Sequence, residues 1–329
     1  MLPGKVPPEK LRELVFNHLG AEGERIIIRS GLGVDAAAIE FNDTILVAST
    51  DPITGAEKNI GFYAVHVNAN DVATFGAKPK WFLVTILLPE DSSEELLRDI
   101  MMEIHSNCRK LGVAVVGGHT EVTPGLKKPI VIGTMLGEVK REKVVLSNGA
   151  KAGDAIILTK GAGIEGTAII ASERQCELEE VFGKKFVERA KAFLGRISVV
   201  EDALIATDVG VHAMHDPTEG GIANGLHEMA EASGLGFEVY YEKIPIAEET
   251  KKICEFYGLD PLALISSGAL MIAATQENAH LIVKTLKRAG IDAEIIGKFL
   301  KEKHKRIIVR EGKERVLKQP PTDELWKVI

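Results

Sequence analysis

The sequence predicts a mixed α/β chain of two domains. Three observations carry this. The 329 residues exceed what one hydrophobic core comfortably organises. Short apolar runs of strand character alternate with stretches of helical periodicity. A polar, small-residue segment, Ser147-Asn-Gly-Ala-Lys-Ala-Gly153, interrupts the chain as a linker does. The expected domains are residues 1–148 and 149–329.

The first half opens with an amphipathic helix over 8–19, its apolar side formed by Leu11, Leu14, Val15 and Leu19, ending at Gly20. An apolar run, Ile26–Ile28, leads to a loop from Ser30 to Asp35 and a strand over 36–40. Asn42-Asp43 reads as a hairpin turn before a second strand, Thr44–Ser49, which stops at Thr50-Asp51-Pro52. Helical spacing returns over 60–75 and again over 92–111, with a strong strand, Trp81–Leu88, between them. Val113–Val116 is a strand running into a loop, Gly117-Gly-His-Thr-Glu121, and Ile130–Leu136 is another strand. The second half alternates more regularly. Strands are expected at 155–159, 236–241, 270–274 and 293–299, and helices at 165–174, 184–195, 198–208, 222–233, 247–256 and 276–289.

Composition excludes several classes of function. Net charge is −7, so no basic face tracks a nucleic-acid backbone. The three cysteines, Cys108, Cys176 and Cys254, are scattered and form no CxxC, which argues against a disulfide framework or a structural zinc. Cys254 sits among apolar residues and reads as structural. No run reaches the ~20 apolar residues that span a bilayer, and the opening residues do not resemble a signal peptide. The expectation is a cytoplasmic protein without nucleic-acid or membrane partners. Aromatic residues make up 5% of the chain, so the cores must be aliphatic.

Polar residues gather just after apolar strands or beside glycines: Gly33-Val-Asp35, Ser49-Thr-Asp51, Asn70-Asp71 and Gly117-Gly-His119-Thr120-Glu121. Converging carboxylates suit a Mg²⁺–phosphate site, because magnesium takes hard oxygen ligands. Backbone N–H groups in Gly31–Gly33 or Gly117–Gly118 can meet phosphate. A lone Asp after a strand is more often a turn residue. Asp71 is different, because Asn70 and Asp71 interrupt an otherwise apolar helix, where such residues are unfavourable without a reason. It is a ligand-facing carboxylate or a buried acceptor. His119 has the same two readings. In the second half, His215-Asp216-Pro-Thr-Glu-Gly220-Gly221 opens a helix and forms an anion-accepting start, with Asp216 suited to a metal or cationic group. Gly161-Ala-Gly-Ile-Glu-Gly166 lacks the Lys-Ser/Thr of a P-loop.

In order, these segments resemble the superfamily of aminoimidazole ribonucleotide synthetase, thiamine-monophosphate kinase, selenide water dikinase and the hydrogenase maturation factor HypE. The matching pieces are Gly33-Val-Asp-Ala-Ala-Ala38, Ser49-Thr-Asp51, Val67-Asn-Ala-Asn-Asp-Val-Ala73 with Gly76-Ala-Lys-Pro79, Gly117-Gly-His-Thr120, His215 to Gly221, and Ser266-Ser-Gly-Ala-Leu270. They span almost the whole chain. The resemblance implies a PurM-like α/β fold, an N-terminal domain pairing with its twin through a barrel-like interface, and a homodimer. It implies ATP and Mg²⁺ as cofactors, with Asp35, Asp51 and Asp71 as metal ligands. Gly33, Asn70, Gly117, Gly118, Thr120, Gly220 and Gly221 would lie against ATP, and Asp71, His119 and Asp216 would serve the chemistry. The overall look is nearest HypE, in which ATP converts a carboxamide on a C-terminal cysteine into a thiocyanate; a protein partner carrying the acceptor follows.

Three departures accompany the likeness. Val34 stands where the family often has a second acid, His119 stands where HypE usually has an acid, and the last residues, Trp326-Lys-Val-Ile329, contain no cysteine. The readings left open are a HypE-like ATP-dependent enzyme, a small-molecule kinase, and a non-catalytic nucleotide-binding scaffold.

Overall fold

The computed structural model describes residues 6–19, 24–29, 31–54 and 58–329. The chain forms two compact units. One comprises Arg25–Arg29 and Asp35–Val144. The other comprises Val145–Ile329 together with the described parts of Met1–Glu24 and Ser30–Val34. The described N-terminal arm clusters with the second half rather than with the first.

The arm carries helix α1 (Pro8–Leu14), which begins on Pro8 and buries no residue. Leu14 and Val15 are exposed, so the apolar side expected over 8–19 is not a core face. Gly20 and Ser30 lie outside the described residues. The first unit is built from β1 (Ile26–Ile28), β2 (Ala37–Phe41), β3 (Thr44–Ile53), α2 (Ile60–Thr74), β4 (Lys78–Leu88), α3 (Glu94–Leu111), β5 (Ala114–Val122) and β6 (Ile130–Lys140). The strands form a sheet in the order β1-β2-β3-β6-β4-β5. All neighbours are antiparallel except β4 and β5.

β6 alternates half-buried and buried residues along its length, the signature of a strand with one face on the core. Helix α2 covers that face, crossing β3, β6 and β4, with α3 beside it. The close approach depends on two glycines of β6. A Cβ on Gly133 would stand 2.4 Å from Asn68 Nδ2, and one on Gly137 would stand 2.4 Å from a Val72 methyl. Asn68 and Val72 are one helical turn apart, so each sits over its own gap in the sheet. α2 is apolar on nearly every side and almost wholly buried, as a helix enclosed between sheet and α3 must be.

Two expectations change here. β3 does not stop at Ser49 but continues through Asp51 to Ile53, because ten ladder positions with β6 carry it on. Gly117–Thr120 are not a loop. They pair in parallel with Leu83–Ile86 inside β5, after a bulge at Phe82/Leu83. Gly118 fits only without a side chain, since a Cβ would lie 1.9 Å from the Val84 carbonyl oxygen.

The second unit contains β7 (Ala155–Thr159), α4 (Ile164–Glu173), α5 (Gln175–Phe182), α6 (Lys184–Lys191), α7 (Val200–Val209), β8 (Ala213–His215), α8 (Gly221–Ser233), β9 (Gly236–Tyr240), α9 (Glu248–Tyr257), β10 (Met271–Ala274), α10 (Gln276–Arg288), β11 (Ala293–Leu300), β12 (Arg306–Arg310) and β13 (Lys313–Val316). Its sheet runs β13-β12-β9-β11-β7-β10-β8, and only β12 and β9 are parallel. β7, Ala-Ile-Ile-Leu-Thr, is buried throughout, as a strand covered on both faces should be.

The Gly133 contact yields a test of the packing. Gly133→Ala forces the Asn68 side chain or the Phe82 ring to move, and is expected to cost about 1–3 kcal/mol, the usual penalty of overpacking. Chemical denaturation of the variant against the parent measures it; an unchanged midpoint would mean that α2 does not rest on this glycine.

Candidate functional site

The first unit carries a buried polar seam between α2 and β3. Ser49 and Asp51, two apart on the strand, present the same face. Asn68 and Asp71, three apart on the helix, stand above them. The Asp51 backbone N–H donates to Asn68 Oδ1 at 2.9 Å. Asn68 Nδ2 in turn donates to the carbonyls of Ala64, at 2.9 Å, and Asp51, at 3.3 Å. The Ser49 hydroxyl donates to Asp71 Oδ2 at 2.6 Å, and its oxygen also lies 3.1 Å from the Asp35 carbonyl oxygen. Asp71 is 6% exposed. A hydroxyl bonded to a carboxylate at this length is charge-assisted and strong for its class. Asn70, beside it, is fully buried.

Of the expected three-carboxylate set, the Asp71 carboxylate meets the Ser49 hydroxyl, which also lies beside the Asp35 backbone carbonyl, whereas the Asp51 backbone belongs to Asn68. Among the described residues no three His, Cys, Asp or Glu side chains stand close enough together to hold a metal ion. Asp35, Asp51 and Asp71 are thus not a ready-made metal cage. The helical rise places Asn68, not Asp71, over Asp51, which separates the carboxylates along the seam.

His119 lies on the exposed strand β5 and bonds Glu121 Oε2 through Nε2 at 3.0 Å. Glu121 also accepts from the Thr123 hydroxyl at 2.8 Å. The Thr123 hydroxyl and then His119 hold the Glu121 carboxyl below its ordinary range. Thr120 points to the other face of the strand.

In the second unit, Asp216 is 1% exposed and follows His215, whose Nε2 lies 3.0 Å from Glu228 Oε2. Gly33, in a left-handed conformation, packs against α8, where an added Cβ would stand 2.5 Å from the Glu228 carbonyl oxygen. The helix start at Gly220-Gly221 is already filled by the chain's own anion. Gly220 N–H donates to Asp323 Oδ2 at 2.6 Å, and Leu325 N–H to Asp323 Oδ1 at 2.8 Å. Burial pushes the Asp323 carboxyl up to about 6, against the lowering effect of these N–H groups. Gly221 is held by close packing, since a Cβ would stand 2.5 Å from the Leu264 carbonyl oxygen. Gly220 therefore does not offer a vacant donor to phosphate. Sequence reading missed Asp323 because no motif surrounds it. It also missed the central parts of Ser49 and Asn68, although both lie inside segments it singled out.

Residues 33–139 match the model of the AIR synthase related protein N-terminal domain, and residues 151–310 match that of the C-terminal domain. The chain belongs to the AIR synthase-related family. A protein of Methanocaldococcus jannaschii named for hydrogenase expression and formation is 31% identical, over 99% of this chain and 97% of that one. The carbamoyl dehydratase HypE of Azotobacter vinelandii is 29% identical, over 82% and 80%. Among solved structures, HypE from a HypE–HypF complex superposes with a TM-score of 0.79 at 24% identity, covering 94% of this chain and 99% of that one. HypE in complex with ATP gives 0.73 at 25% identity, covering 99% and 98%. The PurM-like fold is shared with these structures. No described helix is long and apolar enough to cross a membrane.

The cysteines separate cleanly. Cys108 and Cys254 are buried, which raises their thiols to about 11 and about 12, while Cys176 is exposed. A thiol-reactive chromogenic disulfide at pH 8 is expected to modify one cysteine rapidly in the native protein and all three after unfolding. Rapid native reaction of a second thiol would show that one of the two cores opens.

Proposed function

We propose that this chain is a HypE-like, ATP- and Mg²⁺-dependent enzyme that activates a carboxamide-type acceptor presented by a protein partner. One observation carries the reading: Asp71, a buried carboxylate in the last turn of an apolar helix, accepts from the Ser49 hydroxyl, whose oxygen also lies beside the backbone carbonyl of Asp35. Its support is a family match along both units and the likeness to HypE bound to ATP and to HypE bound to HypF. The donor set fits magnesium in its usual phosphate-site form, which needs one or two carboxylates and completes its shell with phosphate and water. Asp71 and Asp35 would hold the ion, with Asp51 beside them.

ATP supplies the phosphoryl group, and the ion balances its charge. The chain's own residues do the rest. Ser49 fixes the Asp71 carboxylate, so no reorganisation is needed as charge develops. Asn68 holds the backbone of Asp51, keeping that strand end in register with α2. His119 and Glu121 present a hydrogen-bonding pair on an exposed strand.

The active form we propose is a homodimer acting in the cytoplasm. In the isolated chain every residue of β5 is exposed, including Val115, Val116 and Val122. An apolar strand at the edge of a sheet is an aggregation template unless it is covered. Light scattering is expected to give twice the 35.6 kDa chain mass, and Val116→Asp to lower it toward one chain. A monomeric parent at micromolar concentration would remove the dimer from this reading.

Asp71→Asn tests the site. Asparagine can still accept from Ser49, so the fold is expected to survive. MgATP affinity should fall at least about tenfold, roughly 1.4 kcal/mol, by titration calorimetry. Turnover is followed as ADP release with MgATP and a peptide ending in S-carbamoylcysteine, and should fall further than binding. An Asp71→Asn protein that binds MgATP like the parent would refute the metal-ligand role. ADP released with a phosphorylated small metabolite instead of the peptide would point to a kinase. Tight MgATP binding without any turnover would point to a scaffold.

A further inference from the structure

Glu165 is a buried acid of the second unit, apart from the seam between α2 and β3. It lies in the first turn of α4, which starts from Gly163 in a left-handed conformation. It is 7% exposed and is bonded to the side chain and backbone of Ser267. Its Oε2 is buried with no hydrogen-bond partner among the described residues. An ionised carboxyl there would carry charge on an oxygen without a donor, which is costly in a dry site. The protonated form avoids most of that cost.

A second buried acid is bonded to the same loop. Ser267 bonds Glu165, while the Ile265 N–H donates to Asp323. The loop is tied to α4 by Gly163 N–H, which donates to Ser266 Oγ at 2.8 Å, and by Gly166 N–H, which donates to the Ile265 carbonyl at 3.0 Å. Asp323 needs its charge. It accepts from the N–H groups of Gly220, Leu325 and Ile265, and such bonds favour the ionised form. The two acids therefore fit together with one negative charge between them, carried by Asp323. The charged groups that act most on Glu165 are Asp323 and Glu219, both acidic. Lys327, on the same segment as Asp323, is turned to Glu324 at 2.6 Å. Burial first, against the Ser267 bond, and then the two acids raise the Glu165 carboxyl to about 7.

We propose that the segment 323–328 is a proton-gated latch on the start of α8, docked while Glu165 carries its proton and released when Glu165 ionises. Ionisation adds a second negative charge within reach of Asp323. Neutralising Asp323 would relieve the repulsion but weaken its charge-assisted bonds. Moving the segment away relieves it as well. Either response loosens the grip on Gly220. The remaining ties, from Arg174 to the Val328 carbonyl and from Glu324 N–H to the Ala263 carbonyl, place no charge against Glu165. Release frees the Gly220 N–H and exposes Leu325 and Val328, both buried when docked. The latch belongs to the second unit alone and stands whether or not the chain turns over ATP.

Trp326 reports on it. The chain has two tryptophans, Trp81 and Trp326, and the Trp326 Nε1 is buried with no hydrogen-bond partner among the described residues. Trp81→Phe leaves Trp326 as the sole indole. The docked chain holds the Glu165 proton more tightly than a released, hydrated one, whose value is near 4.5, so docking is strongest below that pH and weakens as pH rises through about 7. From pH 5 to 8 the emission of Trp81→Phe is expected to shift to the red while far-ultraviolet circular dichroism stays constant. Hydrogen exchange gives the size: protection of the Gly220 amide, corrected for the intrinsic effect of pH, should fall at least about tenfold between pH 5.5 and 7.5, the equivalent of one pKa unit. With Glu165→Gln added, emission should stay blue and protection flat. With Asp323→Ala added instead, which removes the acceptor, emission should be red at every pH. Constant emission of Trp81→Phe across the range would overturn the latch without recourse to any further variant. So would a red shift that survives Glu165→Gln, one that comes with loss of the circular dichroism signal, or an Asp323→Ala protein that titrates as the parent does.

Discussion

The hydrogen bond from Ser49 to Asp71 is the constraint on which the first unit depends. A carboxylate buried in the last turn of an apolar, nearly enclosed helix is tolerable only if the opposing surface supplies a donor. Ser49 supplies it at 2.6 Å. For this pair to meet, α2 must lie close to the sheet, and the two glycines of β6 allow that. Asn68 then finds the backbone of Asp51 one step along. The same short distances that hide the helix therefore fix the acids, so the packing of this unit and its chemistry are one problem.

The second unit solves a different one. Its acidic residues are not spread along a seam but gathered where loops cross. Asp323 offsets part of its burial by accepting backbone N–H groups at Gly220 and Leu325. The tail is held further by Arg174, which donates to the Val328 carbonyl, and by Glu324 N–H, which reaches the Ala263 carbonyl at 3.2 Å. A carboxylate from the far end of the chain thus satisfies a helix start that would otherwise expose its donors.

Much of this could be read from residue order. Asp71 stood out because polar residues in an apolar helical repeat conflict with their surroundings, and such conflicts mark either ligands or buried acceptors. Most helices and the central strands of the second unit followed from periodicity, α5 excepted, and the family from the order of its motifs. Other parts were hidden for physical reasons. Gly117–Thr120 has loop-like composition, yet parallel pairing with β4 draws it into a strand, a long-range effect that local propensity does not register. The hairpin over Arg306–Val316 escaped because β13 is wholly exposed and carries no apolar alternation. α1 gave a helical repeat without a core to face. The partnership of Asp323 with Gly220 joins residues 103 apart, with no motif at the tail to announce it.

The way the chain threads its two units has a consequence for its biosynthesis. The described part of the segment before Glu24, and that of Ser30–Val34, cluster with residues 145–329, although residues 25–29 and 35–144 intervene. Arg12 bridges to Glu231 at 3.0 Å, and Gly33 rests on Glu228. Arg12 and Gly33 therefore meet these partners only once α8 has been made, some two hundred residues later. The sheet of the first unit can close while translation continues, because all its strands have emerged by Lys140. The arm must wait outside that sheet. A ribosome stalled before α8 would display the strands of the first unit with the segment around Arg12 still undocked.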